Sequence, residues 1–239
     1  MARRSAPASA IHLPLGAHDR RTSATDTVFE RLRKAILSSE LPAGTPLIEA
    51  QLAQQLGVSK TPVREALQRL SQSGLVDYEL ARGATVHTLT LGEIRDSFEL
   101  RLLLEPEALR QSIPHFSLDD CHRLDGVLQQ AQAALVREDS AELSRLNTTF
   151  HRALYRHAEN RLMAGWLDNL GDLRQLMTIQ GWARQNRSAR EWQEHQGIFE
   201  AACDGDGALA SERLIAHIHG FQNLVLAQAA TQNSPAQPA

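Results

Sequence analysis

Four side chains in the second half of the chain have the chemistry of metal ligands. Asn147 and His151 lie four residues apart in a helical pattern, so both point the same way from one helix. His195 and His217 each lie beside apolar residues of two later helical segments. Three imidazoles and one amide from three helices of one bundle could converge on a metal ion. The alternative is that each histidine is a hydrogen-bonded core residue, and both interpretations stay open at this point.

A second set of side chains has the chemistry of nucleic-acid recognition. Lys60, Arg64 and Gln68 recur every four residues and form one stripe along a helix. Another face of the same helix carries an apolar stripe suited to burial, formed by Val63, Leu67 and Leu70. Cationic and amide side chains along one exposed helix face can contact phosphates and base edges in the major groove of DNA.

The residues that precede this stripe indicate a helix-turn-helix. Leu52 and Leu56 lie one turn apart on an earlier helix. Gly57 is expected to end that helix, because glycine tolerates the left-handed conformation of a C-cap. Ser59 is predicted to cap the next helix through its hydroxyl, and Pro62 falls in the first turn, where a missing N–H costs little. Two helices around a glycine turn match the helix-turn-helix pattern.

A predicted β-hairpin follows the second helix. Residues 75–79 and 84–88 are rich in β-branched side chains, and residues 80–83 form the turn between them, with Arg82 and Gly83 at its tip. An earlier helix has one apolar face, formed by Val28, Leu32 and Ile36. A helix pair that only packs is the alternative, but the ordered set favours a winged helix-turn-helix over residues 25–90.

The remainder of the chain is predicted to be an antiparallel bundle of about six helices, so the fold class is mainly α. Helical periodicity persists over residues 91–230. The predicted helices cover residues 91–113, 117–138, 143–160, 161–185, 188–203 and 207–229. Residues 1–24 and 231–239 are polar, lack a period and are predicted to be disordered tails. The arginines of the first tail could touch phosphates.

Composition restricts the class of protein. No apolar run approaches membrane-spanning length and the N-terminus lacks the apolar core of a secretion signal, which favours a cytoplasmic location. Cys121 and Cys203 are far apart in the sequence and in no metal-binding spacing, so they are predicted to be buried thiols of a cytosolic protein.

The charge of the chain is unevenly distributed. Formal charge is +3 over residues 1–24, zero over residues 25–90 and −6 over residues 91–239. A neutral DNA-binding domain must concentrate its cations on one face, and it favours binding as a homodimer. The candidate cations are Lys60, Arg64, Arg69 and Arg82, with Arg31, Arg33 and Lys34 on the first helix.

Residues 25–90 resemble the GntR family of bacterial transcription regulators. The resemblance is carried by three segments: residues 41–47, residues 52–67 with Leu-Gly-Val-Ser-Lys-Thr-Pro-Val-Arg-Glu-Ala-Leu, and residues 82–86 with Arg-Gly-Ala-Thr-Val. It implies that two copies of the second helix enter successive major grooves of a near-palindromic double-stranded operator. The residues expected to contact DNA are Ser59, Lys60, Thr61, Arg64, Arg82 and Gly83.

Residues 95–220 resemble the FCD-type effector domain carried by many such regulators. The matching pieces are residues 101–105, Asn147 to His151, Glu194 with His195, and His217. The resemblance implies that Asn147, His151, His195 and His217 bind a divalent metal ion, zinc or nickel. Asn147 stands where many members carry aspartate, and a neutral amide is expected to lower metal affinity and favour an anionic effector.

Arg101 is the predicted effector-binding residue. Its spacing from Glu105 also predicts an i,i+4 salt bridge, and both interpretations remain open. A guanidinium that reaches the cavity would clamp a carboxylate, so the expected effector is a small organic acid. The chain is thus expected to be a regulator that acts as a repressor, and not an enzyme. The alternatives are a metal sensor, a metal-dependent hydrolase, and a metal-free bundle that binds an apolar ligand.

Overall fold

The computed structural model describes residues 23–79, 83–177 and 188–232. Two compact units divide the chain between Thr88 and Leu89. Arg82 and nearly all of the two predicted tails lie outside the described residues. The tail boundaries need correction, since the first helix already begins at Ala24, with the Ser23 hydroxyl accepting from the Asp26 N–H, and the last helix extends to Gln232.

The N-terminal unit consists of three helices and a small antiparallel sheet. Its helices are α1 (Ala24–Leu37), α2 (Glu49–Leu56) and α3 (Lys60–Gln72). Its strands are β1 (Pro46–Leu47), β2 (Val76–Glu79) and β3 (Gly83–Val86), in the order β1-β3-β2. The hairpin was predicted, whereas β1 was not, because two residues are too few to show an alternating pattern.

The turn between α2 and α3 confirms the prediction for Gly57 and corrects the prediction for Ser59. Gly57 has φ +67° at the end of α2, which confirms its left-handed C-cap. Ser59 occupies the N-cap of α3, but its side chain makes no capping hydrogen bond, so that prediction was wrong. The apolar stripe of α3 is confirmed, since Val63, Leu67 and Leu70 are fully buried.

The C-terminal unit is helical throughout its described residues. Its helices are α4 (Leu91–Ser112), α5 (Leu118–Val136), α6 (Ser140–Leu154), α7 (Arg161–Asn169), α8 (described over residues 171–177), α9 (Ser188–Cys203) and α10 (Gly207–Gln232). α10 packs against α4 and α9, and α5 packs against α6 and α9. No helix of the described residues is long and apolar enough to cross a membrane.

Two predicted helix boundaries in this unit were wrong. The third predicted helix ends at Leu154 instead of residue 160, and Asn160 caps α7 by accepting from the N–H groups of Leu162 and Met163. The single helix predicted over residues 161–185 is interrupted at Leu170, between Asn169 and Gly171, two residue types with low helix propensity. Residues 178–187 lie outside the described part of the chain.

The two cysteines are joined, which corrects the prediction of buried thiols. Cys121 of α5 and Cys203 at the end of α9 form a disulfide, with Cα atoms 5.9 Å apart. Neither residue is fully buried. The 82-residue separation hid this proximity, because the packing of α5 against α9 cannot be derived from the spacing of two cysteines.

Candidate metal centre and nucleic-acid interface

Three histidines from three helices meet inside the C-terminal unit. His151 lies on α6, His195 on α9 and His217 on α10, and all three are buried. One nitrogen from each ring lies within 4.8 Å of the others. Phe150 and Trp192 enclose the cluster, with ring centroids 4.4 and 4.6 Å from that of His195. The three histidines predicted from the sequence are therefore brought together in a buried part of the core.

The ring nitrogens that face the cluster suit a metal ion. His195 Nε2 lies 3.2 Å from His217 Nε2. His151 Nε2 has no hydrogen-bond partner among the described residues, although it is buried. A buried polar atom without a partner is costly, so an ion that all three Nε2 atoms could share would remove that cost.

Two carboxylates orient two of the three rings through Nδ1. Glu105 Oε2 lies 2.8 Å from His151 Nδ1, and Glu194 Oε2 lies 3.0 Å from His217 Nδ1. A carboxylate on Nδ1 holds the proton on that nitrogen and leaves Nε2 as a lone-pair donor, an arrangement common behind metal-ligating histidines. His195 Nδ1 has no such partner among the described residues.

Burial keeps the three imidazoles neutral. It lowers the pKa of His151 to about 3, an effect that the nearby Glu105 carboxylate opposes. Burial also places the pKa of His195 well below its usual value. It lowers the pKa of His217 as well, although the hydrogen bond that His217 donates to Glu194 opposes this shift. Neutral imidazole is the form that binds metal, so the cluster is in its ligating state near neutral pH.

The predicted fourth ligand lies one helical turn before His151. Asn147 is on α6 and only 5% exposed. Because residues four apart share a helix face, its amide lies on the side of α6 that carries His151.

Arg101 lies in a buried network that reaches the histidines. Its Nε donates to Glu105 Oε1 at 2.6 Å, and Arg174 Nη1 donates to the same oxygen at 3.3 Å. Burial raises the pKa of Glu105, but Arg101, His151 and Arg174 together outweigh this effect, so the pKa lies well below its usual value. Sequence reasoning anticipated the Arg101–Glu105 pair and missed both Arg174 and the contact of Glu105 with His151. The available signal for Arg174 was a cation beside the apolar residues Leu173, Leu176 and Met177.

Four of the predicted DNA-contacting residues lie at the amino end of α3, which is exposed. Ser59, Lys60, Thr61 and Arg64 are exposed over the first turns of that helix. Gly83 begins β3 with φ +98°, a conformation that favours glycine.

Two candidate cations of α3 are paired with different neighbours. Arg64 forms a two-point ion pair with Glu49 of α2. Arg69 pairs with Asp26 of α1 at 2.7 Å and lies over the ring of Phe29 at 4.2 Å. Arg69 is therefore directed toward α1.

Comparison with known proteins covers both units. Residues 24–86 match the family described as bacterial regulatory proteins, gntR family, and residues 96–220 match the FCD domain. A probable D-xylose utilization operon transcriptional repressor of Paenarthrobacter nicotinovorans is 30% identical over 203 residues, with 84% of this chain and 88% of that protein covered.

Two further proteins are similar to this chain over most of its length. The transcriptional repressor RspR of Escherichia coli K12 is 24% identical over 198 residues, covering 83% of this chain and 87% of that protein. A crystal structure of a putative GntR transcriptional regulator from Rhodococcus sp. RHA1 has a TM-score of 0.76 at 24% identity, covering 86% of this chain and 99% of that one. That similarity supports the fold.

Proposed function

The chain belongs to the GntR family of DNA-binding transcriptional regulators, and we propose that it is a homodimeric repressor whose operator binding responds to a small organic acid held in a metal-containing helical unit. Its family and relatives are transcription regulators, not enzymes. The observation that carries the sensing half of the proposal is the convergence of three buried, neutral histidines.

The DNA-binding half of the proposal assigns α3 to the major groove. Lys60, Thr61 and Arg64 lie near the amino end of α3, the part of a recognition helix that meets base edges. Ser59 and the free N–H groups of the helix start favour a phosphate. Arg82 and Gly83 would contact the backbone or minor groove beside them.

The sensing half assigns the metal ligands and the effector clamp. His151, His195 and His217 would hold a divalent ion, zinc or nickel, with the amide oxygen of Asn147 as a further ligand. The ion would supply concentrated positive charge, which polarises and attracts anionic oxygens. Arg101 and Arg174 add two guanidinium groups to the same buried region, and such groups match carboxylates in geometry.

Coupling between the two halves follows from differential binding. A ligand that prefers one arrangement of a dimer shifts the population toward that arrangement. An organic acid that favours the arrangement unable to span both half-sites would release the operator. We propose release on binding because two of the named relatives are described as repressors.

Elemental analysis of the purified chain tests the metal assignment directly. After equilibration with zinc or nickel and dialysis, we expect close to one ion per chain for the native protein and little for His217→Ala. His219→Ala is the matched control, since His219 lies two residues further along α10 and is exposed. Equal metal content in the two variants would remove the assignment.

Titration of the metal-loaded protein with small organic acids tests the effector. We expect binding heat from at least one hydroxy acid, sugar acid or dicarboxylate, and weaker binding by Arg101→Lys. Binding of a neutral ligand, with no heat from any acid, would contradict the carboxylate assignment.

A second candidate function is metal sensing, in which the ion itself is the effector. The compactness of the histidine cluster favours it, because three imidazoles are placed to bind an ion without help from an organic ligand. DNA affinity that follows metal concentration in the absence of any organic acid would distinguish this function from the first.

A further inference from the structure

The guanidinium of Arg64 is held by the carboxylate of Glu49, which is itself held by a tyrosine of the N-terminal unit. Its Nε donates to Glu49 Oε1 at 3.2 Å and its Nη2 donates to Glu49 Oε2 at 2.9 Å, a two-point, side-on pair. The hydroxyl of Tyr78 donates to Glu49 Oε1 at 3.2 Å. Glu49 begins α2 and Tyr78 lies on β2, so two separate elements fix the carboxylate that in turn fixes Arg64.

The side-on pair leaves the recognition edge of Arg64 available. A guanidinium has five N–H donors, and this pair uses Nε and one hydrogen of Nη2. The remaining hydrogens of Nη1 and Nη2 form the parallel end-on pair that matches O6 and N7 of guanine. The Arg64 side chain is 55% exposed and lies in the first turns of α3, so more than half of its surface is open to solvent.

We propose that Glu49 is a positioning residue that makes Arg64 a reader of one G·C base pair in each half-site. The proposal rests on the proposed function, since it requires α3 to lie in the major groove. A restrained guanidinium loses less side-chain entropy when it binds a base than a mobile one does.

The carboxylate has a second effect on specificity. It offsets the charge that Arg64 presents to phosphates, and phosphate attraction acts on every sequence alike. Hydrogen bonding to a guanine is retained because the end-on donors are not used by Glu49. The pair therefore lowers affinity for DNA of any sequence more than it lowers affinity for the correct base. The ratio of specific to non-specific affinity rises as a result.

The other arginine of α3 lacks this arrangement. Arg69 meets Asp26 through Nη1 and lies over Phe29, both on α1. Its partners connect α3 to α1, whereas the partners of Arg64 come from α2 and the wing strand. The fold thus assigns packing to Arg69 and recognition to Arg64.

The experiment begins with selection from a random-sequence duplex library by the full-length protein. Fluorescence anisotropy then gives the affinity for the best duplex and for each of its single base-pair substitutions. The base pair at which Arg64→Ala loses its preference identifies the position that Arg64 reads. At that base pair, we expect Glu49→Ala to lose roughly five-fold or more of its discrimination, the lower end of what a two-point base contact contributes.

Three further variants separate positioning from charge and from folding. Glu49→Gln keeps the side-chain length and an acceptor oxygen and should retain part of the discrimination. Tyr78→Phe removes one hydrogen bond and should cost about two- to five-fold at the same base pair. Glu65→Ala is the matched control, because Glu65 is an exposed carboxylate on α3 that accepts from Thr25 rather than holding an arginine. It should alter affinity for all duplexes equally.

A double-mutant cycle decides the proposal. In the Arg64→Ala background, Glu49→Ala should change nothing at the identified base pair. Unchanged discrimination in Glu49→Ala, or a loss at a different base pair, overturns the positioning role. Uniformly tighter binding with unaltered base preference also overturns it, because Glu49 would then compete with DNA for Arg64. If the native protein enriches no sequence from the library, the proposed function fails first and this inference fails with it.

Discussion

The two units use the same ion pair, an arginine with a glutamate, in opposite surroundings. In the N-terminal unit the Arg64 and Glu49 side chains are 55% and 24% exposed. In the helical unit the corresponding fractions for Arg101 and Glu105 are 2% and 1%. Water screens the first pair and is excluded from the second. The first therefore contributes little to the stability of its unit, whereas the second must stay satisfied for the unit to fold.

The contrast explains where each unit places its function. Recognition of DNA needs side chains that can exchange their contacts with water for contacts with DNA. α3 presents such side chains on a surface exposed to solvent. Sensing needs charges that respond strongly to a ligand, and interactions between charges are stronger where water is excluded.

The largest effect is expected from breaking the buried network. Glu105→Ala would leave Arg101 and Arg174 without their shared carboxylate, which should lower the free energy of unfolding of the helical unit by roughly 3–5 kcal/mol. Urea denaturation followed by tryptophan fluorescence measures this unit selectively, because all three tryptophans lie after residue 160. The measurement uses chelator-treated protein, so that bound metal does not contribute to the free energy of unfolding.

Glu107→Ala is the control for that measurement. Glu107 pairs with Arg110 on the surface of α4, two residues from Glu105. Its loss should cost less than about 1 kcal/mol, as for other exposed pairs. Similar losses from both variants would contradict the contrast between buried and exposed pairs.

Reduction of the disulfide should be the next largest effect. The Cys121–Cys203 bridge closes a long segment of the helical unit, so its reduction should cost about 2–4 kcal/mol by relaxing a constraint on the unfolded chain. The N-terminal unit contains no cysteine and should be unaffected. Circular dichroism and tryptophan fluorescence with and without reductant separate the two units. An equal shift in both would contradict this assignment.

Acid should affect a buried carboxylate more than its exposed counterpart. Burial raises the pKa of Asp120. Hydrogen bonds from Ser117 and His157 lower this pKa by a larger amount, so it lies below its usual value. In the exposed Asp26, hydrogen bonds from Ser23 and then Arg69 lower the pKa. Both folded-state values lie below the unfolded value, so the stabilisation is present above about pH 4 and is lost as pH falls below it.

Asparagine substitutions separate the two carboxylates. Asp120→Asn should cost roughly 1–3 kcal/mol near neutral pH, because Asp120 also binds Arg156 and the Ser117 cap. It should also flatten the loss of stability below pH 4, and Asp26→Asn should do so much less. Thermal melts from pH 7 to pH 3 measure both. An unchanged acid dependence in Asp120→Asn would show that other groups carry it.

The smallest effect is expected at the exposed pair between α1 and α3. A double-mutant cycle on Arg69 and Asp26 should give the smallest coupling energy of the pairs compared. Added salt should reduce it, because solvated charges are screened. A coupling as large as that of the buried network, and unchanged by salt, would contradict the contrast.

Sequence reasoning succeeded where information was local. The four-residue spacing on α3 predicted that Arg64 would be exposed and Val63 buried, and Gly57 predicted the end of α2. These features depend on residues within one or two helical turns of each other, where helical period fixes geometry. The assignment to the helical fold class succeeded for the same reason.

Long-range contacts were the part that sequence reasoning missed. Glu105 and His151 are 46 residues apart, and Glu49 and Arg64 belong to different helices. The disulfide shows the same limit, since the separation between Cys121 and Cys203 carries no information about the packing of α5 on α9. Packing decides such pairs, and spacing within a single sequence does not encode it.

One paired measurement tests the central claim, that the exposed Arg–Glu pair serves recognition and the buried one stabilises the helical unit that would hold the effector. It compares duplex affinity and unfolding for Arg64→Ala and Arg101→Ala under the same conditions. Arg64→Ala should lose about five-fold or more of its preference for the selected duplex, while circular dichroism shows an unchanged fold. Arg101→Ala should destabilise the helical unit by roughly 3–5 kcal/mol. Full operator affinity in Arg64→Ala at physiological salt, or full stability in Arg101→Ala, would contradict the account.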